Sequence, residues 1–122
     1  MTWPPRPVVH LELRTGDVRA AQAFYEGMCG WRPEHIESRH GSYLGLDLSR
    51  EFGGGIVESE KGGSGRAIWL PYVQVGDVTR ATERAQELGA EQLLAPREGP
   101  AGWRSIIETP QGGQLAFWQQ KR

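Results

Sequence analysis

The chain has 122 residues, a formal net charge of −1 and a hydrophobic content of 38%, which fits one domain with a modest core. Near-neutral charge supplies no basic field for nucleic acid or an anionic membrane surface, and no run of about 18 apolar residues predicts a membrane span. A single cysteine, Cys29, excludes an internal disulfide and suits a reducing, cytoplasmic compartment, where it reads as a small packed residue at a helix end.

The first seven residues carry five polar or proline positions and no apolar stretch of the kind a secretory signal needs. Residues 8–15 then alternate, with Val9, Leu11 and Leu13 on one face and His10, Glu12 and Arg14 on the other, as in a strand with one dry and one polar face. Asp17 is placed to cap a helix over 18–30, on which Val18, Ala21, Phe24, Tyr25 and Met28 form an apolar stripe and Gly30 is the stop. Strands are predicted at about 31–38, 42–48 and 55–60, the second marked by alternating Leu44, Leu46 and Leu48. Residues 61–66, Lys-Gly-Gly-Ser-Gly-Arg, have no periodicity and read as a flexible linker.

The same order then begins again. Gly16-Asp17-Val18 recurs as Gly76-Asp77-Val78, 60 residues on. A strand at 67–75 precedes it, and a helix at 78–88 follows, with Val78, Ala81, Ala85 and Leu88 as its buried stripe. Strands are predicted at about 91–95, 103–108 and 114–119, with a proline-stiffened loop over 96–102 and a hairpin turn over 109–113. The duplication predicts an α+β domain over 1–122 made of two tandem β-α-β-β-β modules, about 8–60 and 67–119. One helix covers only one face of a four-stranded mixed sheet, so the other faces are expected to curl and form a groove.

The motifs that carry a resemblance are His10 to Asp17, Ala23-Phe24-Tyr25-Glu26, Cys29-Gly30-Trp31, Leu70 to Asp77, Glu87-Leu88-Gly89-Ala90, and Thr109 to Gly113 before the last strand. In their order and spacing the chain resembles the vicinal-oxygen-chelate superfamily, the glyoxalase/bleomycin-resistance/extradiol-dioxygenase fold. The resemblance covers nearly the whole chain. It is specific for fold and weak for reaction, since the family spans isomerases, epimerases, dioxygenases, thiol transferases and drug-binding proteins.

The resemblance implies a divalent metal held by the first and last strand of each copy. The matching first-strand positions are His10 and Leu70. Aligning Gly54-Gly55 on Gly112-Gly113 pairs Glu58 with Ala116 on the last strands. Leu70 and Ala116 have no lone pair to offer, whereas a catalytic site ordinarily uses three or four N/O donors, so no metal cofactor is expected. His10 and Glu58 remain as residual candidates. Without metal they can form an acid–base pair, or His10 simply hydrogen-bonds in the groove. His35 and His40 lack ligand spacing and read as loop residues.

Aromatic and polar side chains argue for binding. Tyr72, Gln74 and Trp118 fall on the groove parity, Trp103 follows the proline loop, and Glu12 and Arg14 share the His10 face; these six are the candidate ligand-binding residues. Trp69 takes the opposite, core parity. The expected function is metal-free binding of a small organic drug or metabolite. The alternatives are a lyase, isomerase or dioxygenase-like enzyme with an altered metal site or a His10–Glu58 catalyst, and a purely structural dimerisation module. Drug-sequestering members imply a homodimer, paired within a chain or by crossed modules.

Overall fold

The computed structural model describes residues 4–39, 41–49, 52–59, 66–99 and 101–121. In chain order the elements are β1 (Val8–Thr15), α1 (Val18–Cys29), β2 (Glu34–Ser38), β3 (Gly41–Ser49), β4 (Phe52–Glu58), β5 (Ile68–Gln74), α2 (Val78–Glu87), β6 (Glu91–Glu98), β7 (Gly102–Glu108) and β8 (Gln114–Gln120). The fold is α+β, and β-α-β-β-β occurs twice, as the sequence repeat predicts. The chain divides into two compact units, His10–Leu70 and the stretches Met1–Val9 and Pro71–Arg122, with the divisions falling inside β1 and β5. Of the expected linker only Arg66 lies within the described residues; His40 also lies outside them.

In the first unit the strand order is β2-β3-β4-β1, with β1 parallel to β4 and the other pairs antiparallel. A parallel pair needs a crossover, and α1 supplies part of it. Asp17 accepts a hydrogen bond from the Ala20 N–H at 3.0 Å and so starts α1, while Gly30 ends it with a left-handed φ of 71° that costs glycine nothing. The core is Leu13, Ile56 and Leu46, with Val18, Ala21 and Tyr25 of α1 packed on it together with Trp31, Leu44, Leu48 and Trp69. Tyr25 stacks on Trp31 at 5.6 Å and accepts a hydrogen bond from Trp69 Nε1 at 3.3 Å, which fixes Trp69 on the core side as expected. The predicted stripe on α1 is wider than the contact. Phe24 and Met28 are 60% and 72% exposed, because α1 rests on the sheet through Val18, Ala21 and Tyr25.

The second unit repeats the pattern as β5-β8-β7-β6, with β5 parallel to β8. Asp77 accepts from the N–H groups of Thr79 and Arg80. Val75, Val78 and Ala81 form the core, with Val73, Trp103 and Phe117 against it. Beside them Thr82 donates to the Val78 carbonyl at 2.6 Å and lies 2.7 Å from the Ser105 hydroxyl, a fully buried polar pair with its bonds made internally. Leu88, expected on this stripe, is 64% exposed past the end of α2.

Two local expectations are corrected. Residues 96–98 are not loop: β6 continues through Pro96 to Glu98. It is the edge strand of its half, where proline's missing N–H costs least, and its pairing with β7 shifts between Gln92 and Leu94 and again between Leu94 and Arg97. The two glycine clusters also differ in kind. Gly112, with φ 95°, turns the chain before β8, whereas Gly53, Gly54 and Gly55 lie inside β4 in extended backbone.

Candidate functional site

Alternation along β1 sends Leu13 to the α1-covered core and His10, Glu12 and Arg14 to the other face. Parallel pairing sets His10 opposite Gly53 and Glu12 opposite Gly55. A Cβ at Gly53 would stand 3.8 Å from His10 Nδ1, and one at Gly55 would stand 3.8 Å from Nε2. The imidazole therefore lies over a stretch of β4 bare of side chains. Antiparallel pairing adds Gly45 opposite Gly55 and Asp47 opposite Gly53. The space so left is a pocket of about 220 Å³, with His10, Tyr43, Asp47, Arg32 and Glu34 among its walls.

Electrostatics around His10 favour the neutral ring. Burial pushes its pKa below the ordinary value of 6.5, and the Glu12 charge offsets part of that effect. Glu12 is itself buried and accepts a hydrogen bond from Arg14 Nη1 at 3.1 Å, so its carboxylate is held by a neighbouring cation. Glu12 and Arg14, placed together on the His10 face by alternation, are thus engaged with each other.

Glu58 does not join this group. The same ladder puts it opposite Thr15, five residues beyond the His10 position, or about 17 Å along the strand. Its parity is that of Ile56, on the core side, and it is exposed. The proposed His10–Glu58 acid–base pair is therefore not formed. The error traces to the glycine alignment, which equated a strand interior with a turn. Register supplies a better correspondence: Ala116 lies opposite Tyr72, and the matching first-copy position, opposite Glu12, is Gly55.

The four positions that the fold family implies for a metal are thus His10, Gly55, Leu70 and Ala116. Gly55 has no side chain, and Leu70 and Ala116 carry only hydrocarbon, leaving one donor where three or four are needed. Among the described residues no three His, Cys, Asp or Glu side chains converge on a common point. This donor set does not suit a catalytic divalent ion.

In the second unit Tyr72 and Trp118 meet as their parity requires, with ring centroids 6.2 Å apart, and Gln74 lies opposite Trp118 on the ladder. Trp103 does not belong with them. It packs with Val75, Val78 and Ala81 on the α2 side, beneath the Lys121 ammonium at 5.8 Å. Its neighbours along β7, Gly102 and Arg104, take the opposite face. Arg104 Nη1 donates to Tyr72 Oη at 2.8 Å, and the Trp118 ring lies across Gly102, where a Cβ would come within 3.0 Å of it. Adjacent Ile106 and Ile107 break the alternation along 103–108, so the face of Arg104 is set by the pairing of β7 with β8. Arg32, Tyr43 and Asp47, which line the first-unit pocket, left no sequence signal because they meet His10 only through strand pairing.

Among the described residues no helix is long and apolar enough to cross a membrane. A protein-family model described as a glyoxalase-like domain matches residues 9–118. Proteins named as candidate glyoxylase CFP32 in Mycobacterium bovis and Mycobacterium tuberculosis are 27% identical over 117 residues, covering 92% of this chain. The chain spans only 45% of the length of those relatives. Among solved structures, BH1468 of Bacillus halodurans C-125, described as hypothetical, aligns with a TM-score of 0.71 at 14% identity over 98% of this chain and 97% of its own. Methylmalonyl-CoA epimerase from Mycobacterium tuberculosis aligns with a TM-score of 0.61 at 13% identity, covering 94% and 88%. A mutant 4-hydroxymandelate synthase from Streptomyces coelicolor gives 0.68 at 19%, covering 98% of this chain and 40% of the enzyme. At these identities the structures establish the fold, and the match over 9–118 establishes the family: the chain belongs to the glyoxalase-like domain family of the vicinal-oxygen-chelate superfamily.

Proposed function

We propose that this chain binds a small organic molecule without a metal ion. The observation that carries the reading is the replacement of three of the four family donor positions by Gly55, Leu70 and Ala116. The glycine-floored pocket supports it. At about 220 Å³ it is below the usual range for drug-sized ligands, which favours a metabolite of a few heavy atoms over a large antibiotic. Neutral His10 then serves as a hydrogen-bonding wall of that pocket, while the Tyr72–Trp118 pair is a separate aromatic contact within the other unit. A homodimer in a reducing cytoplasm is the setting expected from the family resemblance and from Cys29. Light scattering on the purified protein checks the dimer.

The test of the reading is calorimetry with Zn, Ni, Mn and Fe(II), beside a thermal-shift screen of small keto and hydroxy acids and aromatic compounds. Ligand stabilisation undiminished by chelator is the expected result. Stoichiometric tight metal binding that disappears in His10→Ala overturns it.

A second reading, catalysis by proton abstraction, is favoured by one observation: burial keeps the His10 imidazole uncharged, the form a general base needs. It requires a substrate C–H or O–H within reach of His10, and turnover that survives chelation but is abolished by His10→Ala.

A further inference from the structure

The face of the first-unit sheet turned away from α1 reads row by row from its ladder. One row runs Asp47, Gly53 and His10, and the next Glu34, Gly45, Gly55 and Glu12. Glycine fills the inner positions of both rows except that of Asp47, so the middle of this face has a floor of bare backbone. Beyond Gly45, Ile36 lies opposite Tyr43. Arg32 stands two residues before Glu34, and continuing the β2–β3 register brings it level with Asp47. Its neighbour Trp31 is held on the α1 side by its stack on Tyr25, which leaves Arg32 to the glycine side. Arg32, Glu34 and Asp47 are all exposed, and all three border the pocket of about 220 Å³ together with His10, Ile36 and Tyr43.

Arg32 therefore has one carboxylate across the strand pair and another two residues along its own segment. Neither is bonded to it: among the described residues no hydrogen bond or ion pair engages the side chains of Arg32, Glu34 or Asp47. The other charged groups of this face, Glu12 and Arg14, are bonded to each other, and burial keeps the His10 ring uncharged. The pocket rim thus offers one guanidinium fork and two carboxylates, each with its bonding capacity facing outward. A ligand of a single charge meets a like charge somewhere on this rim. A ligand carrying both signs on neighbouring atoms finds an opposite partner for each.

We infer that the first-unit pocket takes a small zwitterionic amino acid: its ammonium lies between Asp47 and Glu34, its carboxylate on the Arg32 guanidinium, and its short side chain over the glycine floor beside Ile36 and Tyr43. The inference rests on the small-molecule reading above and adds to it a requirement for both charges. The floor suits such a ligand because it leaves room close to the backbone. A Cβ at Gly53 would meet nothing nearer than His10 Nδ1 at 3.8 Å.

The test titrates L-alanine, pyruvate and ethylamine into the intact protein, so that the zwitterion is compared with ligands of similar size carrying only the carboxylate or only the ammonium. The readout is the His10 ring resonances in NMR, assigned with His10→Gln. L-alanine is expected to shift them saturably and to bind at least tenfold more tightly than either partial analogue. Asp47→Asn and Arg32→Gln, both at exposed positions, are each expected to weaken L-alanine about tenfold. Asp47→Asn should not weaken pyruvate, and Arg32→Gln should not weaken ethylamine. Pyruvate binding as tightly as L-alanine overturns the ammonium requirement while upholding the small-molecule reading, and ethylamine binding as tightly overturns the carboxylate requirement in the same way. L-alanine binding unaffected by both substitutions, or no shift of the His10 resonances with any probe, overturns the inference, and the thermal-shift screen then decides the broader reading by itself.

Discussion

A side chain at Gly55 would place its Cβ 3.8 Å from Nε2 of His10. Across the parallel ladder, the residue best placed to influence this imidazole is therefore one that has no side chain. Gly55→Asp should put a carboxylate beside the ring and raise the His10 pKa by about one unit, as an opposing charge at short range does. Gly55→Asn, similar in size and uncharged, should not. The new Cβ must also accommodate the Leu44 carbonyl oxygen at 3.2 Å, so both variants are expected to share a modest loss of stability. Following the His10 ring protons by NMR across pH checks the shift. No difference between Asp and Asn would place the imidazole elsewhere.

The wild-type protein should lose stability on mild acidification, through His10. The folded state holds His10 less basic than its ordinary value of 6.5, with burial as the larger cause and Glu12 opposing it. As pH falls through that value the unfolded chain takes up the proton first, so unfolding becomes easier. The loss levels off once the folded imidazole is protonated as well. Urea midpoints between pH 8 and pH 5 should fall, and His10→Gln should flatten that slope. An unchanged slope in the variant would remove His10 as its source.

The glycines of β4 are not equivalent, although they are adjacent. At Gly53 a Cβ meets only His10 Nδ1, at 3.8 Å, which is ordinary contact. At Gly54 it would lie 2.7 Å from both the Leu11 carbonyl oxygen and Leu48 Cδ1. Gly53→Ala should therefore be neutral or stabilising by up to about 1 kcal/mol through the unfolded chain. Gly54→Ala should cost about 1–3 kcal/mol by overpacking the core face. Chemical denaturation of the two variants compares them directly.

These glycines also mark where sequence reasoning stopped. The helices were legible because their signals are local: Asp17 and Asp77 cap them from the residue just before, and the Gly-Asp-Val repeat fixes their spacing. The faces of β1, β5 and β8 followed from alternation alone, which is why Tyr72 and Trp118 share a face as read. Glu58 and Trp103 were misplaced for a different reason. Their faces depend on where β4 and β7 begin and on which partner residue each strand residue opposes, and no local signal carries that information. Arg97 is the extreme case, since its face is set by a bulge that appears only once β6 is paired with β7.

The buried hydroxyl pair of the second unit should respond unequally to loss of its two members. Thr82 donates its proton to the Val78 carbonyl, so across the 2.7 Å contact the Ser105 hydroxyl is the donor and Thr82 the acceptor. Thr82→Val removes the only partner of that pair from Ser105 and leaves a fully buried hydroxyl unsatisfied, at a cost of about 1–3 kcal/mol. Ser105→Ala leaves Thr82 still bonded to Val78 and should cost less, about 0.5–1.5 kcal/mol. The double variant removes both polar groups together, and its loss should be smaller than the sum of the single losses. Denaturation of all four proteins closes the cycle. Strict additivity would mean that the two hydroxyls are not coupled and that the bond between α2 and β7 contributes nothing of its own.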